Sequence, residues 1–264
     1  MEESRRGSRS AQAPLLVCLL GSFRVLKHGR PIELPPGGKV AALLTEIALR
    51  ADDGASRDEI LDQLWPLSEI PFATRSLHTL VYTVHRSLGD ALGGASPIVQ
   101  FSGRYWLNMA DGVAVDTVCF DAAIDAGDRH ARQGRASAAL DDYEAAMHLY
   151  TGDLAVGTHV SHVLERERLR ARYLSLWAHR ADQFYAVADF GAALDSALAL
   201  LANDPCREDA HRMVMRCYVR LGERAQALRH FGICRAILAA EFDAPPEPET
   251  AALFERIRLE PAAV

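Results

Sequence analysis

The sequence predicts an α+β domain at the N-terminus, followed by an all-α domain of repeated helix pairs. Short strand-like segments and one hairpin signal are confined to about the first 110 residues. From Asp116 onward, alanine, arginine and leucine dominate, and helix-type spacing of apolar residues replaces strand-like runs. The chain has 264 residues, 49% of them hydrophobic, which is enough to bury two separate cores.

Short strands are predicted ahead of the first helix. Leu15 to Leu20, Phe23 to Leu26 and Arg30 to Leu34 are separated by residues typical of turns. The first of these runs is too short for the core of a secretory signal, so we interpret it as a buried strand. Residues 1–14 are polar and basic, and we expect them to form a disordered arm. A helix is then predicted from about Gly38 to Arg50.

A helix-turn-helix follows. Ser56-Arg57-Asp58-Glu59 has the pattern of a capping box, which predicts the start of a short helix. Pro66 and Pro71 bound a tight connection, and a longer helix is predicted from Phe72 to Leu88. A short helix, a tight turn and a longer helix are the layout in which the second helix recognises DNA.

The longer helix has two opposed stripes of side chains. Its apolar positions recur at helical spacing, which marks a buried face. About half a turn away lie two guanidinium groups, a hydroxyl and a phenol, which suit contacts with base edges and phosphates in a major groove. The simpler alternative is the solvated face of an amphipathic helix. The buried face is Leu77, Val81, Val84 and Leu88, and the polar stripe is Arg75, Thr79, Tyr82 and Arg86, flanked by His78 and Thr83.

A β-hairpin is predicted after this helix. Residues 97–101 and Arg104 to Leu107 flank the turn dipeptide Ser102-Gly103. The hairpin would form a wing beside the recognition helix, with Arg104 at its tip. Arg104 is therefore a further candidate DNA contact.

The helical half has a repeat. Ala193-Leu194 and Ala227-Leu228 lie 34 positions apart, which is the tetratricopeptide period. Ala139-Leu140 lies 54 positions before the first of these pairs, so an irregular helix pair is expected in that interval. Gly134, Gly191 and Gly222 are predicted to mark turns between helices or the ends of helices. A helix end is predicted at Asp204-Pro205, and a final helix at Glu249 to Leu259.

In this order, the motifs resemble the SARP-type bacterial activators, which combine an OmpR-type winged helix with a bacterial transcriptional activation domain. The residues that carry the resemblance are Leu20-Gly21-Ser22-Phe23, Ser56 to Leu61, Leu64-Trp65-Pro66, Gly103 to Leu107 and Glu241 to Thr250.

This resemblance implies a cytoplasmic activator with a winged-helix domain at residues 15–110 and an activation domain of tetratricopeptide-like helices at 115–260. It also implies binding to repeated sites in double-stranded promoter DNA, as a homodimer on that DNA, and recruitment of RNA polymerase. Lys39 matches one member of a phosphate-binding pair that the family commonly carries.

The chain departs from the family pattern at basic positions. Thr83-Val84-His85-Arg86 replaces a run usually rich in arginine and lysine, and Ala41 replaces an arginine. Residues 1–110 hold 12 Lys plus Arg against 11 Asp plus Glu, which is less basic than usual for a DNA-binding domain. The alternative function is therefore an adaptor that has lost autonomous DNA binding and acts through protein partners.

Other functional classes find little support in the sequence. Gly37-Gly38-Lys39 lacks the remaining residues of a phosphate-binding loop, so neither an enzyme nor a bound cofactor is predicted. The cysteines lack metal-ligand spacing and are expected to be free thiols in a reducing cytoplasm. We expect His159 and His162 to form a partly exposed helical pair, and the arginines between Arg166 and Arg172 to form a solvated face with ion pairs. No apolar run is long enough to span a membrane.

Overall fold

A computed structural model describes residues 13–34, 38–154 and 159–260. Most of the predicted N-terminal arm and Gly37 lie outside these ranges. The N-terminal elements are the predicted strands, three helices and hairpin, together with two short strands, Ala55–Ser56 and Val113–Val115, that were not predicted. They are β1 (Leu15–Cys18), β2 (Arg24–Lys27), β3 (Arg30–Pro31), α1 (Lys39–Ala48), β4 (Ala55–Ser56), α2 (Arg57–Leu64), α3 (Ile70–Leu88), β5 (Ile98–Phe101), β6 (Arg104–Leu107) and β7 (Val113–Val115).

The strands form two small sheets. The first has the order β3-β2-β1-β7, in which β1 is antiparallel to β2 and parallel to β7. The second has the order β4-β6-β5 and contains the predicted hairpin, with Phe101 opposite Arg104 next to the turn. Ser102 and Gly103 both have positive φ angles, as a tight two-residue hairpin turn requires. This arrangement of sheet, helices and hairpin is a winged helix.

The helix-turn-helix has the predicted local structure. The Ser56 side chain accepts from the Glu59 amide, and the Glu59 carboxylate accepts from the Ser56 amide, so the capping box at the start of α2 is complete. α3 carries a proline in its first turn, where the missing N–H has no helical partner in any case. On its inner face Leu77, Val84 and Leu88 are buried, whereas Val81 is only half-buried.

All the named elements of the C-terminal half are helices. They are α4 (Asp116–Arg132), α5 (Ala136–Leu149), α6 (Val160–Ala186), α7 (Phe190–Asn203), α8 (Glu208–Arg220), α9 (Arg224–Phe242) and α10 (Pro248–Leu259). Neighbouring helices pack together within each part of this half, α4 against α5 and α7, α8 and α9 in succession, as expected for a tetratricopeptide-like array.

The repeat is visible in the second helix of each pair. Ala139, Ala193 and Ala227 are each the fourth residue of their helix, and each is completely buried. The absence of a longer side chain lets the paired helices approach closely. The expectation of an irregular helix pair within the longer interval was wrong. That interval contains one long helix, the 27-residue α6, after a connection that follows Leu149.

Gly134, Gly191 and Gly222 lie at helix ends, as predicted, but not at equivalent positions. Gly134 and Gly222 lie two residues before α5 and α9 with φ angles of 70° and 82°, as a left-handed turn requires. The equivalent position before α7 is Ala188, with a φ angle of 62°, and Gly191 is already the second residue of that helix.

The chain divides into two compact units, residues 1–169 and 170–264, so that the division falls within α6. The first unit therefore holds the winged helix together with α4 and α5. The domain limits drawn from the sequence, 15–110 and 115–260, stay a prediction.

Within the first unit, α4 is bonded to the N-terminal sheet. The Asp116 carboxylate accepts from the amides of Leu19 and Leu20 at 2.8 and 2.9 Å. Burial raises the pKa of Asp116 to about 6, although these backbone donors oppose the shift. The Thr151 hydroxyl donates to the Leu20 carbonyl at 2.6 Å, and a Cβ at Gly21 would lie only 2.6 Å from that hydroxyl.

The second unit contains a core between α6, α7 and α8. Leu174, Ala193, Leu200 and Val214 belong to it, and Trp177 packs against it. The C-terminal helix α10 is attached through Arg212, which donates to Glu247 and Thr250 at 2.9 Å.

Candidate nucleic-acid interface

The outer stripe of α3 faces solvent. Arg75, Thr79, Tyr82 and Arg86 are all exposed, and so is His78. Two-thirds of Tyr82 is accessible, which is high for an aromatic side chain on a helix whose other face is buried. The sequence-predicted stripe is therefore one continuous surface along α3, with Thr83 half-buried at its margin.

The cationic side chains of this stripe have no partner within the protein. In the part of the chain that the structure describes, Arg75, His78 and Arg86 make neither a side-chain hydrogen bond nor an ion pair. Arg75 and Arg86 lie 11 residues apart, or about 16 Å along the helix axis. They could therefore hold anionic groups at two separated points, with Tyr82 between them.

The two threonines offer different chemistry from that expected. The Thr79 hydroxyl donates to the Arg75 carbonyl at 3.1 Å, and the Thr83 hydroxyl donates to the Thr79 carbonyl at 2.9 Å. Since each hydroxyl proton is used within the helix, each threonine offers an acceptor oxygen and a methyl group to a ligand. A methyl group of this kind suits contact with the methyl group of thymine.

Lys39 has partners within the domain. Its ammonium donates to the Leu64 carbonyl at the end of α2 and lies 4.9 Å from the centroid of the Trp65 ring. A lysine at this position neutralises the negative end of α2. A contact between Lys39 and a DNA phosphate stays a prediction, and Lys39 would have to make that contact while it binds Leu64 and Trp65.

Arg104 also has partners within the domain. It is the first residue after the hairpin turn, as predicted, but its Nε donates to the carbonyls of Asp53 and Gly54 at 2.7 and 3.2 Å. One terminal nitrogen lies 3.6 Å from the Glu59 carboxylate. A DNA contact by Arg104 likewise stays a prediction.

His85 makes a contact that was not predicted from the sequence. Its Nε2 lies 2.9 Å from the carbonyl oxygen of Ile98, the first residue of β5. Because a carbonyl only accepts, Nε2 must carry the hydrogen. Helical periodicity places His85 near the margin of the polar stripe, but no sequence signal indicates its bond to a strand 13 residues away.

An apolar surface lies at the start of α3 and in the connection before it. Leu67, Ile70 and Phe72 lie in and just after the connection between α2 and α3, and all three are largely exposed. The sequence pattern gave no sign of this surface, because Pro66 and Pro71 mark the segment only as a connection between two helices. Three clustered large apolar side chains in one short segment are typical of a protein-contacting surface.

A winged helix joined to tetratricopeptide-like helices, with an exposed and unpaired cationic stripe on its recognition helix, defines a class of transcriptional regulator. The chain belongs to the bacterial transcriptional activator domain family, whose match covers residues 115–258. Together with its winged helix, this gives the chain the domain architecture of the SARP-type activators.

Individual relatives agree with this assignment. The chain is 27% identical over 219 residues to the regulatory protein AfsR of Streptomyces griseus, covering 82% of this chain and 22% of that protein. It is 24% identical over 233 residues to the transcriptional regulatory protein MoaR1 of Mycobacterium tuberculosis, covering 86% of this chain and 75% of that protein. The chain thus spans under a quarter of the AfsR relative's length.

A solved structure shows the same fold. Mycobacterium tuberculosis EmbR, in complex with a low-affinity phosphopeptide, superposes with a TM-score of 0.73 at 21% identity. The match covers 93% of this chain and 65% of that one. Among the described residues, no helix is long and apolar enough to cross a membrane, and no three His, Cys, Asp or Glu side chains are grouped to hold a metal ion.

Proposed function

We propose that this protein is a sequence-specific DNA-binding activator that inserts α3 into the major groove of promoter DNA and recruits RNA polymerase. The observation that carries the proposal is the exposed stripe of α3, whose cations have no partner in the described part of the chain. A merely solvated helix face usually pairs its arginines with nearby carboxylates, and this stripe contains no acidic residue.

In this proposal, residues at different positions along the stripe contact different parts of the DNA. Arg75, near the N-terminal end of α3, reads a base edge, where the start of a recognition helix commonly lies. Thr79, Thr83 and Tyr82 contact bases and sugar by their methyl groups, acceptor oxygens and ring. Arg86, in the last turn, contacts a backbone phosphate, with His78 beside the groove.

The low basic charge of the domain favours binding to paired sites. Only a few phosphates would be neutralised by one protomer, so a single half-site would bind weakly at physiological salt. Two protomers on adjacent repeats gain affinity because the second binding event is effectively intramolecular. We therefore propose a homodimer that forms on DNA.

The exposed apolar surface supports a protein partner next to the DNA. Leu67 lies just before the recognition helix, and Ile70 and Phe72 lie in its first turn, so a protein bound to them would lie close to the occupied promoter. We propose that this surface contributes to the contact with RNA polymerase.

The adaptor remains a second candidate function. The observation that favours it is that Lys39 and Arg104, two of the predicted DNA contacts, are engaged by carbonyl groups of the domain itself. An adaptor would use the apolar surface and the helical array to bind proteins and would not bind DNA at any sequence.

Selection of binding sites from a random duplex DNA pool tests the proposal. The full-length protein is used at two salt concentrations, and affinity for the enriched sequence is measured by fluorescence anisotropy. Enrichment of a repeated motif, with binding lost in Arg75→Ala and kept in Arg129→Ala, supports the activator. Arg129 is a matched control because it is also exposed, helical and unpaired among the described residues. Failure to enrich any sequence at low salt supports the adaptor.

A further inference from the structure

We propose that Arg104 and His85 are positioning residues that fix the wing relative to the recognition helix and do not themselves contact DNA. This inference rests on the proposed DNA-binding function and assigns these two side chains a role within it. It differs from the expectation that an arginine at a wing tip binds a phosphate.

Arg104 fixes the tip of the wing. Arg104 and Phe101 face each other directly beside the two-residue turn. The Arg104 Nε donates to two successive carbonyls, those of Asp53 and Gly54, which lie just before β4. The backbone supports the same approach, because β6 pairs with β4 and places Ser56 opposite Arg104.

Close packing keeps this attachment in place. Gly54 has a φ angle of 68°, and a Cβ there would lie 2.4 Å from the Trp106 ring. Only glycine therefore lets the loop approach the wing closely enough for its carbonyl to reach Arg104. The Glu59 carboxylate, which is part of the capping box of α2, lies 3.6 Å from the same guanidinium. The wing tip is thus attached to the first helix of the helix-turn-helix.

His85 fixes the opposite end of the hairpin. Its Nε2–H donates to the carbonyl of Ile98, which pairs with Leu107 at the base of the wing. His85 lies in α3, so this bond joins the recognition helix directly to the wing. With one attachment at the tip and one at the base, the hairpin is prevented from pivoting about either end.

The arrangement determines what the wing presents to a ligand. The Arg104 guanidinium is turned toward the domain, and the exposed side chain next to the turn is Phe101, three-quarters of which is accessible. The Nε–H of Arg104 is bonded to both carbonyls and one terminal nitrogen lies near Glu59, so a phosphate contact would have to use terminal N–H groups of a side chain held toward the domain. The geometry therefore favours a wing that is set in place by Arg104 and offers an apolar tip.

The salt dependence of DNA binding separates positioning from contact. Each phosphate contact that is removed lowers the slope of log K against log salt by about one, whereas a displaced wing weakens binding without removing a cation at the interface. For the selected site, measured below physiological salt, we expect Arg104→Met to weaken binding about tenfold with the wild-type slope, and Arg86→Ala to lower the slope by about one. A slope lowered by about one in Arg104→Met, or an unchanged affinity, would overturn the proposal.

Hydrogen exchange in the free protein provides a readout that does not depend on DNA. We expect faster amide exchange across Ile98–Leu107 in Arg104→Met and in His85→Leu. His85→Gln should restore slow exchange, because its amide N–H can donate to the Ile98 carbonyl. Unchanged exchange in both Arg104→Met and His85→Leu contradicts positioning even if DNA binding fails altogether. Absence of DNA binding with altered exchange contradicts only the proposed function.

Discussion

Glu46 of α1 and His162 of α6 are buried against each other, with the carboxylate 3.0 Å from the imidazole Nε2. Arg50 reaches the second oxygen of the same carboxylate at 2.6 Å. Burial alone would raise the pKa of Glu46, but the hydrogen bonds and positive charges of His162 and Arg50 outweigh it, so the pKa lies below its usual value. This contact joins the winged helix to the start of α6 within the first compact unit.

The buried pair should be costly to break from one side. We expect His162→Leu to lower the free energy of unfolding by about 3 kcal/mol, because it leaves the Glu46 carboxylate buried with Arg50 as its remaining partner. The measurement is urea unfolding at pH 7 followed by circular dichroism. His159→Leu is the matched control, since His159 is three residues away and exposed. The double variant Glu46→Leu/His162→Leu should be more stable than His162→Leu, and equal or lower stability of the double variant would contradict this account.

The polar stripe of α3 should matter for DNA and not for folding. We expect Arg75→Ala and Arg86→Ala each to abolish promoter binding at physiological salt, because few other cations hold the helix on DNA. Thermal unfolding should be nearly unchanged, since both side chains are exposed and unpaired among the described residues. Anisotropy with the selected site and calorimetry of the free variants test the two halves of the prediction. Binding that survives both substitutions would mean that the stripe is only a solvated face.

Ala188 holds a backbone conformation that suits glycine better. Its φ angle is 62°, and its position before α7 is the one that Gly134 and Gly222 occupy before α5 and α9. We expect Ala188→Gly to stabilise the protein by about 0.5–1 kcal/mol, because relief of the left-handed strain exceeds the added entropy of the unfolded chain. Gly222→Ala should be destabilising by about 1 kcal/mol, since a Cβ there meets no atom within 4 Å and only the backbone opposes it. Urea midpoints measure both, and shifts of the same sign would refute the explanation.

Local signals explain why much of the fold was predictable from the sequence. The capping box at Ser56, the apolar spacing along α3 and the turn at Ser102-Gly103 each act over a few residues, and all three predictions were confirmed. The wrong predictions depend on tertiary contacts. His162 is 5% exposed rather than partly exposed, because it meets Glu46 from a distant helix.

The candidate interface divides in the same way. Helical periodicity was sufficient to predict which α3 residues are exposed. It could not predict the carbonyl groups that hold Arg104 and His85, because those acceptors come from loops and strands whose position depends on the folded domain. The positive φ angle of Ala188 could not be predicted either, because no residue near it in the sequence indicates a left-handed conformation.

Two buried histidines should make the second unit sensitive to acid. His211 of α8 and His230 of α9 are in contact, with His211 Nδ1 lying 2.9 Å from His230 Nε2. The other nitrogen of His211, Nε2, lies 2.8 Å from the Pro205 carbonyl oxygen. That carbonyl requires a hydrogen on His211 Nε2, so in the neutral pair His230 donates to His211 Nδ1. Protonation of both rings would leave two N–H groups facing each other, and burial opposes a positive charge on either ring.

The pKa values give the direction of the pH dependence. Burial, followed by the neighbouring His211, lowers the pKa of His230 to about 4, and burial lowers that of His211. Both values lie below the ordinary 6.5, so the unfolded chain binds more protons than the folded one. The full stabilisation is present above pH 6.5 and is lost as the pH falls toward 4. For His230 alone the loss approaches about 3 kcal/mol.

Urea unfolding between pH 7.5 and 4.5 measures this loss. His230→Leu should remove most of the pH dependence in that range, because it removes the imidazole whose pKa is lowered to about 4. His148→Leu provides the control, since His148 is exposed and should leave the wild-type dependence unchanged. If His230→Leu loses stability with acid as steeply as the wild type, the acid sensitivity comes from other groups and the histidine pair does not cause it.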